Sequence, residues 1–514
     1  MTVMNALDRG ASEGAPYLIL DIGTHKVLGL AAIPHEDGVQ VLASSLARHA
    51  ERSMRDGQVH DVKAVARVVK QVVRELEKAA AHAFDGAHVA AAGRALRTAR
   101  GRAEASHPQS VTVTAEMERV LVWEAVADAQ ANLLETLPAG EQVLGYYAVA
   151  HSLTASWLDG DEIGSLVGHR GRLFGVEALA TFLPGVVVDS LEAVLREAGL
   201  EMCGLTLEPI AALEAVIPST SRHLRLALID IGAGTSDIAL TGGGRVEAYA
   251  MVPQAGDAIT EAVSKALLLD FAVAERVKRA VSQGESVSAE NVLGEPVHVD
   301  LPLLEELIAG AADRLAEAIA SELARWAGGG LDAVLLVGGG SKTPGLAERL
   351  ARCLDVPVER VALRDRRAVR GVLGAEHLSG PDAITALGIA LRACRGQEMP
   401  PVRVRVNGRP VCLFLPDRCT VREAARVAGL SPADLMGRLG PGITITINGE
   451  VVAIPGTRGE PAVARLRGEQ VTLDTMLQNM DEVVLEPPKP GLPARPTVEE
   501  AVSGWLERKG GRLD

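Results

Sequence analysis

The sequence predicts a two-lobed α/β domain followed by a smaller α+β unit. An apolar strand-like run ends in Asp-x-Gly twice, at Asp21 and again at Asp230. Strand-like and helix-like segments alternate around both runs, which is typical of a parallel sheet covered by helices. The composition changes at 397–401, and two Asn-Gly hairpin signals follow it. These observations predict two similar halves that close on one ligand, and a separate C-terminal unit.

Composition places the chain among ordinary globular proteins. Of its 514 residues, 47% are hydrophobic and 23% are charged, and this length suits about two to four domains. The net charge of −14 argues against a broad nucleic-acid-binding surface. No apolar stretch reaches the roughly 18 residues that a membrane-spanning helix needs, and the five cysteines have neither CxxC nor metal-ligand spacing. We therefore expect a cytoplasmic protein that does not bind nucleic acid.

The first half is predicted to be a lobe interrupted by a small insertion. A strand and a returning strand occupy 17–33, and apolar residues at helical spacing predict a helix from Val62 to Leu76. Short strand-like runs at 88–92, 110–114 and 142–150 alternate with a helix near 115–134, and a helix over 184–199 and a strand over 202–207 follow. We expect a disordered segment over 1–16, the first lobe over 17–84 and 181–222, and the insertion over 85–180.

The second half repeats this alternation. A strand at 226–230, helices over 257–282 and 302–326, a strand at 332–337 and a helix over 343–354 predict a second lobe over 223–395 with a largely parallel sheet. Hairpins are expected at Asn407-Gly408 and Asn448-Gly449, with a helix over 421–428 between them and a strand at 482–485 after them. Residues 400–487 are thus predicted to form an α+β unit, and 488–514 a Pro-rich linker with a short helical tail.

The two Asp-x-Gly motifs carry the residue types that a nucleotide and its metal ion require. Magnesium keeps several waters and is often held by one or two carboxylates, which suits Asp21 and Asp230. Backbone N–H groups beside glycine approach phosphate oxygens without steric obstruction, and nearby hydroxyl groups add donors. The residues predicted to bind phosphate in this way are Gly23, Thr24, Gly232, Gly234 and Thr235.

A third glycine cluster, Gly338-Gly339-Gly340, lies between an apolar strand-like run and a predicted helix. Three glycines let the backbone approach a flat adenine or a ribose. Taken alone, the triplet also fits a flexible strand-to-helix turn. Its order after the two Asp-x-Gly motifs favours the nucleotide.

The order of these motifs resembles the FtsA family of bacterial cell-division proteins, within the actin-like (ribonuclease H-like) ATPase superfamily, over about residues 17–393. The segment 21–27 looks like the first phosphate loop, 230–239 like the second, and 338–340 like the adenosine loop. The segments 208–212 and 386–390 resemble the two connections between the halves. The insertion and the motif Arg55-Asp56-Gly57-x-Val59 point to FtsA rather than to heat-shock chaperone ATPases. The resemblance implies ATP and Mg²⁺ as cofactors, with Asp21 and Asp230 holding the metal through water.

The resemblance also implies further functional residues. Glu208 would orient an attacking water, which makes it a catalytic candidate with Asp21 and Asp230, or it is simply an acid placed near the helix dipole. His25 either contacts a phosphate or is a solvated loop residue. Ala233 replaces a usual glycine and is strained if its position needs a positive φ. The nucleotide contacts implied by the resemblance are His25, Lys26, Ala233, Gly256, Glu275, Lys278 and Lys342.

The leading hypothesis is an ATP-binding protein that acts in bacterial cell division through nucleotide-dependent assembly and partner recruitment. By resemblance, its partners are copies of itself, in dimers or filaments, and cell-division or envelope-assembly proteins, including a tubulin-like ring protein. Any ATPase activity is expected to be slow, because no arginine finger or strong base is evident. The alternatives are a chaperone-type ATPase, a small-molecule kinase on the same fold, and a PilM-like adaptor for a pilus or secretion machine.

The C-terminal region leaves one question about location open. Residues 400–487 resemble the β-grasp-like extension of long FtsA-related proteins and show no catalytic constellation, so we expect an interaction module. In the tail, Val498, Ala501, Val502, Trp505 and Leu506 are able to form an apolar helix face. This helix either anchors the protein on the inner face of the cell membrane or is a solvated end.

Overall fold

The computed structural model describes residues 15–50, 52–55, 57–92, 96–138, 146–326, 330–396, 402–413, 419–430 and 435–508. The chain divides into two units, Met1–Pro400 and Pro401–Asp514. Several predictions concern residues outside these ranges. They are residues 1–14 of the predicted N-terminal segment 1–16, Asp56 of the motif at 55–59, the composition change at 397–401, and the tail beyond residue 508.

The first lobe is built on a mixed sheet. Its first three strands form an antiparallel meander, because short turns join them. The strand that follows the first long helix pairs in parallel with the first strand, so the sheet is mixed. The apolar face of that helix, from Val65 to Leu76, is buried as predicted. The elements are β1 (Tyr17–Ile22), β2 (Lys26–His35), β3 (Gly38–Arg48), β4 (Met54–Arg55), β5 (Gln58–Val59), α1 (Val62–Ala80) and β6 (Gly86–Ala91).

The insertion is a four-stranded antiparallel sheet with one long helix packed on it. Most of the strand predicted at 110–114 belongs to a longer strand of 16 residues. The strand predicted at 142–150 belongs to a strand of 13 residues that begins at Tyr146, and 142–145 lie outside the described residues. The strand over 170–184 is not predicted by the sequence pattern. Since β6 pairs within the first lobe, the insertion begins after it and not at residue 85. The elements are β7 (Arg97–Thr112), α2 (Ala115–Thr136), β8 (Tyr146–Leu158), β9 (Asp161–Glu162) and β10 (Arg170–Pro184).

The chain then returns to the first lobe and crosses to the second. Helix α3 (Gly185–Ala198) packs on α1, and β11 (Glu201–Leu207) pairs in parallel with β6. Helix α4 (Glu208–Val216) starts directly after β11 and leads to the second lobe. Its proline, Pro209, suits the first turn of a helix, where a backbone N–H is not needed for the helix ladder.

The second lobe repeats the plan of the first: an antiparallel meander, then parallel pairing with later strands. Its sheet is therefore mixed and not largely parallel as predicted, because short turns join its first three strands. The predicted helix over 257–282 is two helices, because Leu268 adopts a left-handed conformation and Asp270 caps the second. The helix predicted from Thr343 begins at Leu346, after a 3₁₀ turn. The elements are β12 (Leu226–Ile231), β13 (Ser236–Gly242), β14 (Arg245–Val252), α5 (Gly256–Leu267), α6 (Phe271–Ser282), β15 (Val287–Glu290), β16 (Pro296–Val299), α7 (Leu301–Ala324), β17 (Ala333–Val337), α8 (Leu346–Leu354) and β18 (Val361–Leu363). The chain then adds β19 (Val372–Leu373) to the first lobe's sheet, where it pairs in parallel with β3, and continues into α9 (Ile384–Cys394).

Two helices connect the lobes and touch each other. Helix α4 leaves the first lobe, and α9 returns from the second to pack on β1 and β2. A Cβ atom built on Gly388 of α9 would lie 1.9 Å from the carbonyl oxygen of Ala211 in α4. Glycine at this position therefore allows the two backbones to meet directly.

The C-terminal unit contains a mixed five-stranded sheet, a capped helix and a separate hairpin. Asn407 and Asn448 adopt positive φ angles, as do the glycines that follow them, which confirms the two Asn-Gly turns. The tail helix lies against the hairpin, where Trp505 Nε1 donates to Glu450 Oε2 at 3.0 Å. The elements are β20 (Val402–Val406), β21 (Arg409–Leu413), α10 (Val421–Val427), β22 (Ile443–Ile447), β23 (Glu450–Ile454), β24 (Val463–Leu466), β25 (Glu469–Val471), β26 (Asp481–Glu486) and α11 (Val498–Arg508).

Of the helices that the structure describes, none combines the length and the apolar character that crossing a membrane requires.

Candidate functional site

A cavity of about 190 Å³, partly open to solvent, lies between the two lobes. It is bounded by the ends of β1 and β12 and by the loop after β17. All but one of the predicted site residues line it; Gly234 lies in the same turn as its neighbours but is not part of the wall. The predicted residues in the wall are Asp21, Gly23, Thr24, His25, Lys26, Glu208, Asp230, Gly232, Ala233, Thr235, Gly256, Glu275, Lys278, Gly338, Gly339, Gly340 and Lys342.

The two motif carboxylates face this cavity from opposite lobes. Asp21 is 9% exposed and Asp230 is 6% exposed. Burial raises the pKa of each carboxyl group to about 6, and the negative charge of Asp382 adds to the effect. The Thr385 hydroxyl donates to Asp230 Oδ2 at 2.6 Å, and this hydrogen bond partly offsets the rise in the pKa of Asp230. Two buried carboxylates with incomplete charge compensation are suited to attracting a cation.

The donor set fits a magnesium ion that is completed by water and phosphate oxygens. Mg²⁺ commonly takes one or two protein carboxylates and keeps several other oxygen ligands, and Asp21 and Asp230 supply two. Within the described ranges, no group of three or more His, Cys, Asp or Glu side chains is arranged to hold a metal by itself. The site therefore fits a metal that arrives with a phosphate-bearing ligand better than a metal held by protein alone.

The glycine cluster after β17 crosses closely over the second Asp-x-Gly motif. Gly338 has a φ of +81°, and a Cβ there would lie 2.2 Å from Asp230 Oδ1. A Cβ on Gly340 would lie 2.6 Å from the carbonyl oxygen of Gly232. Only glycine permits this approach, which builds a wall of backbone atoms along the cavity.

Ala233 fits the second phosphate loop without backbone strain. It is not among the non-glycine residues with positive φ, so the penalty considered for alanine does not apply. Its carbonyl oxygen accepts from the Asp257 N–H at 2.8 Å, and the Gly232 carbonyl oxygen accepts from the Gly256 N–H at 3.2 Å. The loop is thus fixed to the first turn of α5.

Glu208 is both the first residue of α4 and part of the cavity wall. Burial raises the pKa of its carboxyl group well above the usual value, and the charges of Asp237, Asp21 and Asp230 raise it further. The geometry is therefore compatible with both interpretations of this residue, an acid at a helix start and a group that faces a ligand.

Glu275 and Lys278 of α6 form a connected network with the first helix of the lobe. Lys278 Nζ lies 2.6 Å from Glu275 Oε2 and donates to the Gly256 carbonyl oxygen at 3.1 Å and to Thr260 Oγ1 at 2.6 Å. Burial opposes ionisation of Glu275, but the charge and hydrogen bond of Lys278 outweigh it and lower the pKa of the carboxyl group. This network holds both side chains at the cavity wall.

Asp382 is a central part of the site that the sequence analysis missed. Its carbonyl oxygen and Oδ2 accept from Lys26 Nζ at 2.7 and 3.0 Å, and its Oδ1 accepts from Lys342 Nζ at 2.8 Å. Burial opposes ionisation, but the charges and hydrogen bonds of Lys26 and Lys342 outweigh it and lower the pKa of Asp382. The one available signal was its position just before the predicted connection at 386–390.

Two arginines in the wall were also missed. Arg48, at the end of β3, and Arg279, in α6, face the cavity from opposite lobes. Burial lowers the pKa of the Arg48 guanidinium, and the charge of Arg279 lowers it further. Like charges that face each other across a cleft favour an anion between them.

A second set of contacts joins the lobes beside the cavity. His25 Nε2, in the β1–β2 turn, lies 2.8 Å from Asp257 Oδ1. The Arg52 guanidinium stacks 3.9 Å above the centre of the Phe271 ring and lies 3.5 Å from Glu261 Oε1. We call these five residues the latch. His25 is thus placed between lobes, which neither of the two interpretations of this residue anticipated.

Comparisons with known proteins agree with this architecture. A family model described as cell division protein FtsA matches residues 227–388. The cell division protein FtsA of Pseudomonas aeruginosa is 26% identical over 360 residues, which cover 67% of this chain and 82% of the relative. That of Neisseria meningitidis is 23% identical over 394 residues, which cover 73% and 90%.

Among solved structures, the PilM–PilN type IV pilus biogenesis complex matches with a TM-score of 0.51. The match has 21% identity and covers 74% of this chain and 98% of that one. At this identity it shows the shared fold alone. The predicted fold class and the predicted resemblance are both confirmed. Over most of its length the chain therefore resembles cell division protein FtsA, and it has the fold of the actin-like ATPases.

Proposed function

We propose that this chain binds ATP with Mg²⁺ between its lobes and acts in bacterial cell division through nucleotide-dependent assembly. The observation that carries the proposal is the cavity, because residues of both lobes that suit phosphate, metal and ribose converge on it. A ligand held there contacts both lobes at once. Its binding and loss therefore change how the lobes sit against each other, which is what an assembly switch needs.

Each part of the wall has a proposed role. Asp21 and Asp230 hold Mg²⁺ through water, and the metal neutralises part of the phosphate charge. Lys26 and the two Asp-x-Gly loops bind the phosphates, while Glu208 orients the attacking water. The adenosine is held by Glu275, Lys278, Gly256 and the loop 338–340, with Lys342 at its end.

The proposed partners follow from the FtsA relatives. They are further copies of this chain, in dimers or filaments, and proteins of the division or envelope-assembly machinery, including a tubulin-like ring protein. The C-terminal unit recruits such partners, and the protein works in the cytoplasm. Helix α11 brings it to the inner face of the membrane when it leaves the hairpin around Glu450.

Sedimentation of the full chain tests this proposal. We expect pelleting with ATP and Mg²⁺ that is lost without nucleotide, and co-pelleting with vesicles of anionic lipid. Phosphate release is measured in the same samples, where Glu208→Gln should keep pelleting and slow phosphate release by about 10- to 100-fold. Absence of ATP binding would refute the proposal. Binding of ATP without assembly would favour a PilM-like adaptor instead.

The latch gives a prediction about nucleotide exchange. Arg52→Ala removes a cation–π contact and an ion pair between the lobes, so we expect nucleotide release to accelerate by about 3- to 20-fold. Release of a fluorescent ATP analogue, chased with excess ATP in a stopped-flow instrument, measures this rate. Arg367→Ala, which removes an exposed ion pair with Asp365 of the same lobe, is the matched control. Equal release rates for Arg52→Ala and the wild type would contradict the role of the latch.

A further inference from the structure

One carboxylate in the cavity wall binds two lysines that come from different lobes. Lys26 starts β2 of the first lobe, and Lys342 lies in the turn before α8 of the second. Asp382 accepts from both ammonium groups at 3.0 Å or less. The Lys26 side chain is 17% exposed and that of Asp382 is 30% exposed, so water screens this contact only in part.

The backbone around Asp382 fixes the carboxylate in this place. The carbonyl oxygen of Pro381 accepts from the Gly338 N–H at 3.0 Å. Thr385 donates to Asp230, three residues further along the same segment. A Cβ on Gly380 would lie 2.3 Å from Asp382 Oδ1, so a glycine makes room for the side chain. Asp382 is therefore a built part of the wall and not a mobile surface acid.

The Asp382 carboxylate lies where its negative charge repels the phosphate tail of any ligand in the cavity. The proposed function gives Lys26 to the phosphates and places Lys342 at the end of the adenosine loop, yet Asp382 already occupies donors of both lysines. Its negative charge also acts on Asp21 and Asp230, since it raises the pKa of both. A phosphate that approaches Lys26 must share or replace this carboxylate and meets its charge at short range.

We propose that Asp382 competes with the phosphate tail of a bound nucleotide. Its carboxylate holds Lys26 and Lys342 in place and thereby weakens the binding of polyphosphate ligands. The inference rests on the proposed function. If Asp382 competes in this way, the affinity for ATP is lower than the basic residues alone would give. The affinity also depends more strongly on Mg²⁺, because the metal offsets the negative charge that Asp382 adds. A weakly held nucleotide exchanges readily, which suits a protein that cycles between assembled and free forms.

The variant Asp382→Asn distinguishes two roles of Asp382: positioning the lysines and competing with phosphate through its negative charge. Asparagine keeps the shape, and the backbone carbonyl oxygen still accepts from Lys26, while the negative charge is removed. By isothermal titration calorimetry on the full chain, we expect ATP to bind about 5- to 30-fold more tightly with Mg²⁺ present. The gain should be larger without Mg²⁺, and adenosine, which lacks phosphates, should bind within about 2-fold of the wild type.

Asp313→Asn is the matched control. Asp313 also bridges two cations, Arg349 and Arg352, but it does not line the cavity. We expect its ATP affinity to equal that of the wild type. Thermal melting checks that each variant is folded, and Asp382→Ala replaces Asp382→Asn if the latter does not fold.

The outcomes separate the two proposals. Unchanged or weaker ATP binding by folded Asp382 variants, with ATP binding intact in the wild type, overturns the competitor and leaves the proposed function standing. An equal gain in affinity for adenosine and for ATP also overturns the competitor, because adenosine has no phosphates to compete with. If the wild type and all variants fail to bind ATP, the proposed function itself fails.

Discussion

Gly338→Ala is expected to lower the free energy of unfolding by about 3–5 kcal/mol and to abolish ATP binding. The new methyl group would lie 2.2 Å from Asp230 Oδ1 and 2.4 Å from the carbonyl oxygen of Ile231. The φ of +81° adds the strain that a side chain meets in this conformation. Rotation of the Asp230 side chain relieves only the first contact, because the Ile231 oxygen is part of the backbone of β12. The loop and the strand must therefore move apart, which opens the wall that faces the ligand.

The neighbouring glycine provides a close control. A Cβ on Gly339 would have its nearest contact at 3.7 Å, with Asp382 Cβ, and no positive φ is found there. We expect Gly339→Ala to change the free energy of unfolding by less than about 1 kcal/mol. Urea unfolding of both variants, followed by circular dichroism, measures the difference. Similar losses in the two variants would show that the close crossing over Asp230 does not determine stability.

Asp21→Asn is expected to stabilise the nucleotide-free protein and to weaken ATP–Mg²⁺ binding by at least about 100-fold. Burial raises the pKa of Asp21 to about 6. The folded state thus holds the proton more tightly than the unfolded state, whose carboxyl pKa is near the ordinary value. Stability is highest below that ordinary value and falls as the pH rises towards 6, so the ionised group is unfavourable at pH 7. Removing the charge should add about 1–3 kcal/mol to the free energy of unfolding at pH 7.

The pH dependence makes this prediction specific. The gain from Asp21→Asn should shrink to about 0.5 kcal/mol at about pH 4, where Asp21 is protonated in the folded state and about half protonated in the unfolded state. Thermal melting at the two pH values measures it, and Asp161→Asn, an exposed carboxylate on β9, is the control. A variant that melts below the wild type at pH 7 would contradict the cost assigned to the buried charge.

The sequence revealed the parts of the site that are local in the chain. Asp21 and Asp230 each end an apolar strand, and glycines follow at once, so strand, acid and loop are visible in a few residues. The same holds for Gly338 and for the Asn407 turn. In these cases the residue type is dictated by a backbone conformation or by a strand end, which a short window contains.

Other parts depend on residues that the topology brings together. Asp382 binds Lys26, far away in the chain, and nothing near Asp382 in sequence announces that contact. Arg52 and Phe271 meet only because the lobes face each other. Strand β10 escapes prediction because it has no simple alternation: its start is exposed and polar, while its end is buried on both faces. The break at Leu268 is hidden because neither glycine nor proline marks it.

The backbone contact between α4 and α9 has a mechanical consequence. Helices that touch through main-chain atoms, as Gly388 and Ala211 do, have no layer of side chains between them to compress or to rearrange. We therefore expect this pair of helices to be the pivot of any rotation between the lobes, and the displacement of an atom grows with its distance from a pivot. Under the proposed function, a movement of a fraction of an ångström at the phosphates would produce a larger shift at the outer faces of the lobes. The contact between two helix backbones would thus amplify a small change at the nucleotide into a larger change at the surface that meets a neighbouring copy.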